Sequence, residues 1–394
     1  MRASDVADCL LKSKRPLIHI GQGARDGARE FFILIERYQI PFLTARNAND
    51  LCDSKQLLCC GRPGTFAQRG ANFIVQLCDL YLAIGTRLSL TQTGYNSSDY
   101  ARNARIIQVN IDQAELDKGT LRDPVSICQD AKEFLTELLN ELEGKELPDW
   151  SAWVKRCQYL RDKYPVCLPS YKEEKDYVNS FYFIDALSEI SSHQDIIVTD
   201  MGFAFQNTHQ AWKIKQGQRL LTNCGLAPMG WGLPAAIGAC MGTHRRTILI
   251  AGDGGLMMNI QELATVRHHK LNLKIFMLNN GGYLTIKQTQ QLGFEGRLMG
   301  VNEDAGLWFP DFGMMAAAFH IRYASVKTHA EFHKIETRIN EQGPMFFEVF
   351  MSPDQIQAPR SVNRRNPDGT MNPTKLEDAY PFLPPEEVEE AMRL

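Results

Sequence analysis

The sequence predicts an α/β protein built from two Rossmann-like domains, each a parallel sheet covered by helices. Short β-branched apolar runs alternate with amphipathic helical stretches, and the alternation occurs in two series along the 394 residues. A proline- and charge-rich stretch near the middle separates the series. The length suits two cores of ordinary size.

The first series opens with "PLIHIG" at 16–21, passes through the amphipathic "ARDGAREFFILIERY" and returns as "IPFLTA" at 40–45, which is βαβ patterning. "ANFIVQLC" then reads as a helix, "DLYLAIG" at 79–85 and "RIIQVNID" at 105–112 as strands, and "DAKEFLTELLNELEG" at 130–144 as a closing helix. These elements form a first domain over residues 1–146. Residues 147–177 hold three prolines and many charges around one short amphipathic stretch, the pattern of a linker.

The second series holds the helix "VNSFYFIDALSEI", the strand "DIIVTDMG" at 195–202, the glycine-rich helix start "MGWGLPAAIGACMG", the strand "RTILIAGDGG", the helix "NIQELATVRHHK" and the strand "LKIFMLNN". They predict a second parallel sheet in a domain over 178–352. The polar, proline-rich tail 353–394 is expected to wrap the surface or reach a neighbouring subunit.

A formal net charge of -3 without runs of like charge argues against nucleic acid or an anionic membrane as partner and for a small-molecule site. The ten cysteines form no C-x-x-C pairs and several lie in apolar runs, so reduced, buried thiols are expected. The N-terminus lacks a signal-type apolar region and no segment approaches about 18 apolar residues, which predicts a cytoplasmic protein.

The chemistry concentrates in "IAGDGGLMMNIQELATVRHHKLNLKIFMLNNGGY" at 250–283. "RTILIAG" reads as a strand buried on both faces, and Gly252, Asp253, Gly254 and Gly255 break it at its carboxyl end, the edge where open α/β sheets bind ligands. Asn259 with Glu262 resembles a capping pair, so a helix is expected to start there with Ile260, Leu263 and Val266 facing the sheet. "LKIFML" then ends in Asn279 and Asn280 at the same edge as Asp253. Each turn alone is compatible with a plain tight turn. Together on one βαβ unit they suit a hard cation, because one carboxylate, one amide oxygen and one carbonyl leave room for two phosphate oxygens and a water. Gly254 and Gly255 are expected to let backbone N–H groups approach those phosphates.

Gly252-Asp253-Gly254, twenty-four residues, then Asn279-Asn280 resembles the signature of the thiamine diphosphate-dependent enzymes, and "NIQELATV" and "NNGGYLTIKQTQ" resemble their acetolactate synthase-like group. The resemblance implies magnesium held by the side chains of Asp253 and Asn280 and the carbonyl of Gly282. "GLAPMGWGLPAAIGA" at 225–239 is similar to the family's approach to the cofactor, which implies that Met229 lies beneath the bent cofactor and forces its pyrimidine over the thiazolium. "DMGFAFQNTHQAW" at 200–212 corresponds to a diphosphate-holding segment but has Phe203 and Ala204 where acetolactate synthase has Gln-His, so neither residue inherits a role. Gly202 could still offer a backbone N–H, and His209 is expected to be structural or on the surface. The implied cofactor-binding set is Gly202, Met229, Gly230, Gly252, Asp253, Gly254, Gly255, Asn280, Gly282 and Tyr283.

The first domain, from "RPLIHIGQGA" to "IIQVNIDQAELDK", resembles the family's central domain. Gly21, Gly23 and Gly27 form a G-x-G-x-x-x-G loop without the acidic residue of a dinucleotide fingerprint. In acetolactate synthase this domain carries a non-redox FAD, and in many relatives it carries nothing; FAD is one candidate occupant.

The resemblance covers the central and diphosphate-binding domains only. The family's pyrimidine-binding domain, whose glutamate drives deprotonation of the cofactor, lies outside it, and Glu30 and Glu36 read as the solvated face of the first amphipathic helix. The catalytic residue is therefore unknown from this sequence. The family chemistry implies a C2 carbanion that adds to a 2-oxo acid such as pyruvate, loss of carbon dioxide, and attack of the enamine on a second carbonyl. A truncated gene product, a split enzyme whose partner chain brings the pyrimidine-binding domain, and a non-catalytic binding or scaffold module all remain open, and a homo- or hetero-oligomer is expected. A nicotinamide-dependent oxidoreductase is a further alternative that leaves the Asp-to-Asn spacing unexplained. "LGFEGRLMG" at 292–300 is read as a mobile loop over the site.

Overall fold

The computed structural model describes residues 1–365 and 368–393, which form two compact units, Met1–Val166 with Ala358–Leu394, and Cys167–Gln357. The first unit contains β1 (Pro16–Ile20), β2 (Phe42–Thr44), β3 (Leu80–Ile84), β4 (Arg105–Asn110) and β5 (Val125–Cys128), all parallel in the order β2-β1-β3-β4-β5. The second contains β6 (Ile196–Thr199), β7 (Arg219–Leu221), β8 (Thr247–Gly252), β9 (Leu273–Asn279), β10 (Arg322–Val326) and β11 (Met345–Phe350), parallel in the order β10-β11-β9-β8-β6-β7. Two parallel, helix-covered sheets are thus present, as the alternating pattern predicts.

The strands that the sequence marks most clearly are central. β1 and β3 are buried at every residue, and β8 and β9 at every residue but the last. The edge strands β5 and β7 are short and partly exposed, so no continuous apolar run announces them. Gly252 pairs with Leu278, and Asn279 follows on β9, so this register brings the Gly-Asp-Gly turn and the two asparagines to one edge.

Each sheet has a point where the chain leaves one strand, pairs on one side and crosses to the other. In open α/β sheets ligands bind outside the strand ends at that point. In the first unit this point, between β1 and β3, is closed by backbone. Gly21 N–H donates to Ile84 O at 2.8 Å and Gly23 N–H to Gly85 O at 2.9 Å. A Cβ on Gly21 would overlap the Gly85 carbonyl, and one on Gly27 would lie 2.9 Å from Lys132 Cα. These glycines therefore serve close packing between loops and against the helix Ala131–Leu142, and the N–H groups of Gly21 and Gly23 already have acceptors. The loop lends no support to FAD.

The proline-rich stretch 147–177 is not linker throughout. It contains the helix Ser151–Lys163, anchored in the first unit by Trp150 and Trp153, whose indole N–H groups donate to Ser13 O at 2.9 Å and Pro16 O at 2.8 Å. The tail also belongs to the first unit, because buried polar side chains of the helix Arg69–Leu77 meet it. Arg69 donates to the carbonyls of Ala379 and Pro381 at 3.0 and 2.6 Å, and Asn72 to that of Leu376 at 2.9 Å. Glu377, 3% exposed, accepts from Gln76 at 3.1 Å and pairs with Arg102 at 2.7 Å. No disulfide joins any of the ten cysteines; five are buried, and Cys128 on β5 is exposed. Among the described residues no helix is long and apolar enough to cross a membrane.

Replacing Glu377 by Ala removes the carboxylate that Gln76 and Arg102 share, leaving Arg102 its pair with Asp99. The expected cost is about 2 kcal/mol, the range for a partly buried hydrogen bond to a charged group. It should appear in urea denaturation as a lowered midpoint of the first unit; an unchanged midpoint would show that the tail is held by its other contacts alone.

Candidate functional site

The chain leaves β6 for β7 on one side and then crosses to β8 on the other, so the carboxyl ends of β6 and β8 diverge, and the end of β9 lies next to β8. Three turns converge at this edge. They carry Asp200 after β6, Asp253 after β8 and Asn280 after β9.

Asp253 is 1% exposed and begins the short helix Asp253–Met257. Its Oδ1 accepts from Gly254 N–H at 2.6 Å, and its Oδ2 from Asn280 N–H at 3.0 Å and Gly282 N–H at 3.1 Å. Among the described residues no cationic side chain pairs with it. Burial raises its carboxyl pKa to about 7, opposed by the N–H groups of Gly254, Gly282, Asn280 and Gly281. A desolvated carboxylate held only by neutral dipoles lacks the positive charge that normally accompanies a buried anion. That donor set, with an amide side chain and a carbonyl on the adjoining turn, fits a hard divalent cation. It is not a His/Cys/carboxylate cage: among the described residues no group of three such side chains could hold a metal.

The turn after β9 is built tightly. Gly281 has φ +71°, a left-handed conformation that glycine adopts without strain, and a Cβ on Gly282 would overlap the Val301 carbonyl. Asn279 does not face the carboxylate. Its Oδ1 accepts from Gly281 N–H at 3.0 Å, and its Nδ2 donates to Glu348 Oε1 at 2.5 Å. Glu348, 4% exposed on β11, also accepts from the Tyr323 hydroxyl of β10, and burial together with that carboxylate raises the Tyr323 pKa. A side-chain chain across three strands thus steadies the turn that contributes two N–H groups to Asp253. A cleft of about 360 Å³ opens beside this turn, lined by Asn280, Gly282, Lys287, Val301 and Met351 among others.

The glycines of the turn after β8 have a packing reason of their own, and one sequence-based expectation, the cap at Asn259, is corrected. A Cβ on Gly254 would overlap the Tyr283 ring, and one on Gly255 would overlap Asp200 Oδ2. Both glycines are required by neighbouring side chains, whereas Gly252 has open space at its Cβ position. Asn259 does not cap a helix. Its Nδ2 donates to Gly230 O at 2.8 Å, a 3₁₀ turn Ile260–Glu262 follows, and the helix proper is Leu263–His268, with Leu263 and Val266 fully buried.

Met229 is 38% exposed, immediately before Gly230, whose φ of +88° turns the chain into the helix Gly232–Thr243. Gly202, at φ +67°, starts the helix Phe203–Ala211, and its Cβ position lies 3.3 Å from Thr285 Oγ1 beyond Tyr283. Phe203, Ala204 and His209 are buried in that helix, which makes His209 a structural residue rather than a surface one. Glu36 is exposed and Glu30 half-buried on the helix Ala28–Tyr38 of the first unit.

Sequence reasoning missed Asp200 and Glu348. Asp200 is 1% exposed, and its two oxygens accept from Gly230 N–H at 3.1 Å each. Its one signal was a carboxylate immediately after the apolar run "DIIVT"; for Glu348 it was a lone carboxylate inside "MFFEVF".

Residues 3–138 match the family described as thiamine pyrophosphate enzyme, central domain, and residues 200–349 match thiamine pyrophosphate enzyme, C-terminal TPP binding domain. The acetolactate synthase isozyme 1 large subunit of Escherichia coli K12 is 30% identical over 371 residues, covering 93% of this chain and 63% of that protein. The acetolactate synthase large subunit of Cyanidium caldarium is 32% identical over 358 residues, covering 87% of this chain and 58% of that protein. The chloroplastic acetolactate synthase 2 of Nicotiana tabacum is 31% identical over 364 residues, covering 89% and 54%. The chain therefore spans little more than half the length of these relatives.

The raised pKa of Asp253 has a stability consequence in metal-free protein. Between the ordinary carboxyl value of about 4 and the folded value of about 7, the folded chain holds a proton that the unfolded chain has released. Stability is then highest below that window and falls as pH rises through it. Asp253→Asn should remove this dependence, so urea midpoints of wild type and variant should diverge between about pH 4 and about pH 7, with wild type losing more. Parallel profiles would show that Asp253 titrates normally.

Proposed function

This chain belongs to the thiamine pyrophosphate enzymes, with their central and C-terminal domains, and from that membership we propose that it binds magnesium and thiamine diphosphate and acts on 2-oxo acids in the manner of the acetolactate synthases it resembles. The observation that carries the reading is the buried Asp253 carboxylate, met among the described residues by the backbone N–H groups of the turns after β8 and β9.

In this reading the Asp253 and Asn280 side chains and the Gly282 carbonyl hold the magnesium ion, and the Asp253 carboxylate supplies the negative charge of the protein's share of the coordination shell. Its backbone donors orient it. The turns at Gly202 and Gly252–Gly255 would hold the diphosphate through their backbone N–H groups, and Tyr283 packs against Gly254 in the second of them. Met229, exposed at the edge of the site, is the apolar support beneath the cofactor rings. When bound, thiamine diphosphate supplies the nucleophilic carbon that adds to the carbonyl of a 2-oxo acid such as pyruvate, allowing decarboxylation and carboligation. The 394 residues contribute binding, orientation and shielding from water. The glutamate that handles the cofactor's proton in this family is proposed to come from a pyrimidine-binding domain outside them, on a partner chain of a homo- or hetero-oligomer.

A second reading, a binding or scaffold module without turnover, is favoured by one observation. Phe203 and Ala204 are buried at the start of the helix Phe203–Ala211, where acetolactate synthases carry a polar pair. The two readings differ in what happens once a pyrimidine-binding domain is supplied.

Calorimetric titration with magnesium and thiamine diphosphate, in the presence of such a domain, should give saturable binding to wild type. Asp253→Ala should weaken it by at least about 100-fold, since even outer-shell partners of a metal site are worth 10–100-fold. Carbon dioxide release from pyruvate by the assembled protein would support the enzyme reading; binding without release would support the scaffold, and no binding would defeat both.

A further inference from the structure

Asp200 is not among the residues that the reading above gives to the metal or the diphosphate, yet three parts of the candidate site meet on it. Its own N–H donates to Ile250 O at 2.9 Å, which fixes the end of β6 against β8. Its carboxylate oxygens both accept from Gly230 N–H at 3.1 Å. It packs so closely on the neighbouring turns that a Cβ on Gly232 would lie 2.7 Å from Asp200 Cβ, and one on Gly255 would overlap its Oδ2. One side chain thus touches both the turn that presents Met229 and the turn that presents Asp253.

The choice of a carboxylate needs explaining. Asp200 is 1% exposed, no cationic side chain pairs with it among the described residues, and burial raises its pKa against the N–H groups of Gly230, Met201 and Gly232. Burial of an unpaired carboxylate is costly, and packing alone would be met as well by an apolar side chain of similar size. What a carboxylate adds is two acceptor oxygens that together meet the backbone N–H groups of Gly230, Met201 and Gly232. Asn259 grips the other side of Gly230, at its carbonyl oxygen, from just beyond the Asp253 helix. Gly230 is therefore held through both its polar backbone groups, in each case by a side chain tied to the metal-binding turn.

We propose that Asp200 is a positioning residue that holds the Met229–Gly232 turn in register with the Gly252–Gly255 turn, so that the apolar support and the metal-diphosphate end of the site keep a fixed relation. The proposal rests on the cofactor reading of Met229 given above. Its test has one arm that needs no cofactor. The 394-residue chain, labelled at its fourteen methionine methyl groups, gives a Met229 signal identified by its loss in Met229→Leu. Asp200→Ala should shift and narrow that signal, with smaller changes at Met201 and Met258 beside the same turn, while the core methyl signals of Met277 and Met345 stay in place. Asp200→Asn keeps one acceptor oxygen and should restore it. A Met229 signal unmoved in Asp200→Ala would overturn the proposal. Should Asp200→Ala fail to fold, hydrogen exchange of the Gly230 amide in wild type decides instead: strong protection supports the hold, and rapid exchange refutes it.

The second arm compares ligands in the presence of magnesium. Asp200→Ala should bind inorganic diphosphate as wild type does but lose its preference for thiamine diphosphate over inorganic diphosphate by about tenfold. An unchanged preference would overturn the role in the site. If wild type itself binds neither ligand, the cofactor reading fails, and the methyl spectrum still reports separately whether Asp200 holds Met229.

Discussion

A buried carboxylate that pairs with no cationic side chain among the described residues is the constraint around which the second unit is arranged. Asp253 is almost wholly shielded from water, and among the described residues its partners are peptide N–H groups from its own turn and from the turn after β9. Those donors exist in that position because β8 and β9 are adjacent, parallel and in a register that ends them together. The left-handed Gly281, the absence of a side chain on Gly282 and the Asn279–Glu348–Tyr323 chain all follow from the need to keep that second turn in place.

The two sheets solve the same topological problem in opposite ways. Both place a divergence between strand ends at the carboxyl edge. In the first unit the loops after β1 and β3 close it by bonding to each other, with Gly21 and Gly85 pressed together. In the second, the loops after β6, β8 and β9 meet through carboxylates, which leaves charge and a cleft at the edge. Similar strand orders therefore give a sealed edge in one unit and a candidate site in the other.

Much of this was legible in the sequence, for identifiable reasons. β1, β3, β8 and β9 are buried on both faces, so their apolar runs are unbroken, and the Gly-Asp-Gly and Asn-Asn turns show because they interrupt such runs. What stayed hidden depends on partners distant in the chain. Asp200 acts on a backbone N–H thirty residues later, and Gly254 and Gly255 are explained by Tyr283 and Asp200, neither of which composition links to them. Asn259 looked like a cap because its spacing to Glu262 is local, while its actual acceptor, Gly230 O, is not. The helix Ser151–Lys163 was obscured by flanking prolines and charges that say nothing of the two tryptophans buried against β1 and the residues before it.

The tail closes the first unit with residues that come after the whole of the second. In the order of synthesis, Cys167–Gln357 is an insertion within a discontinuous first unit. Arg69, Asn72 and Gln76 emerge from the ribosome some three hundred residues before the carbonyls and carboxylate they will bind. Until then, the groups that will face the tail meet water, while Asn72 and Gln76 already have bonds within the first unit to Gly64 and to the Arg102 N–H. The first unit is thus begun first and finished last, and the second unit has the chance to fold while its host is still open.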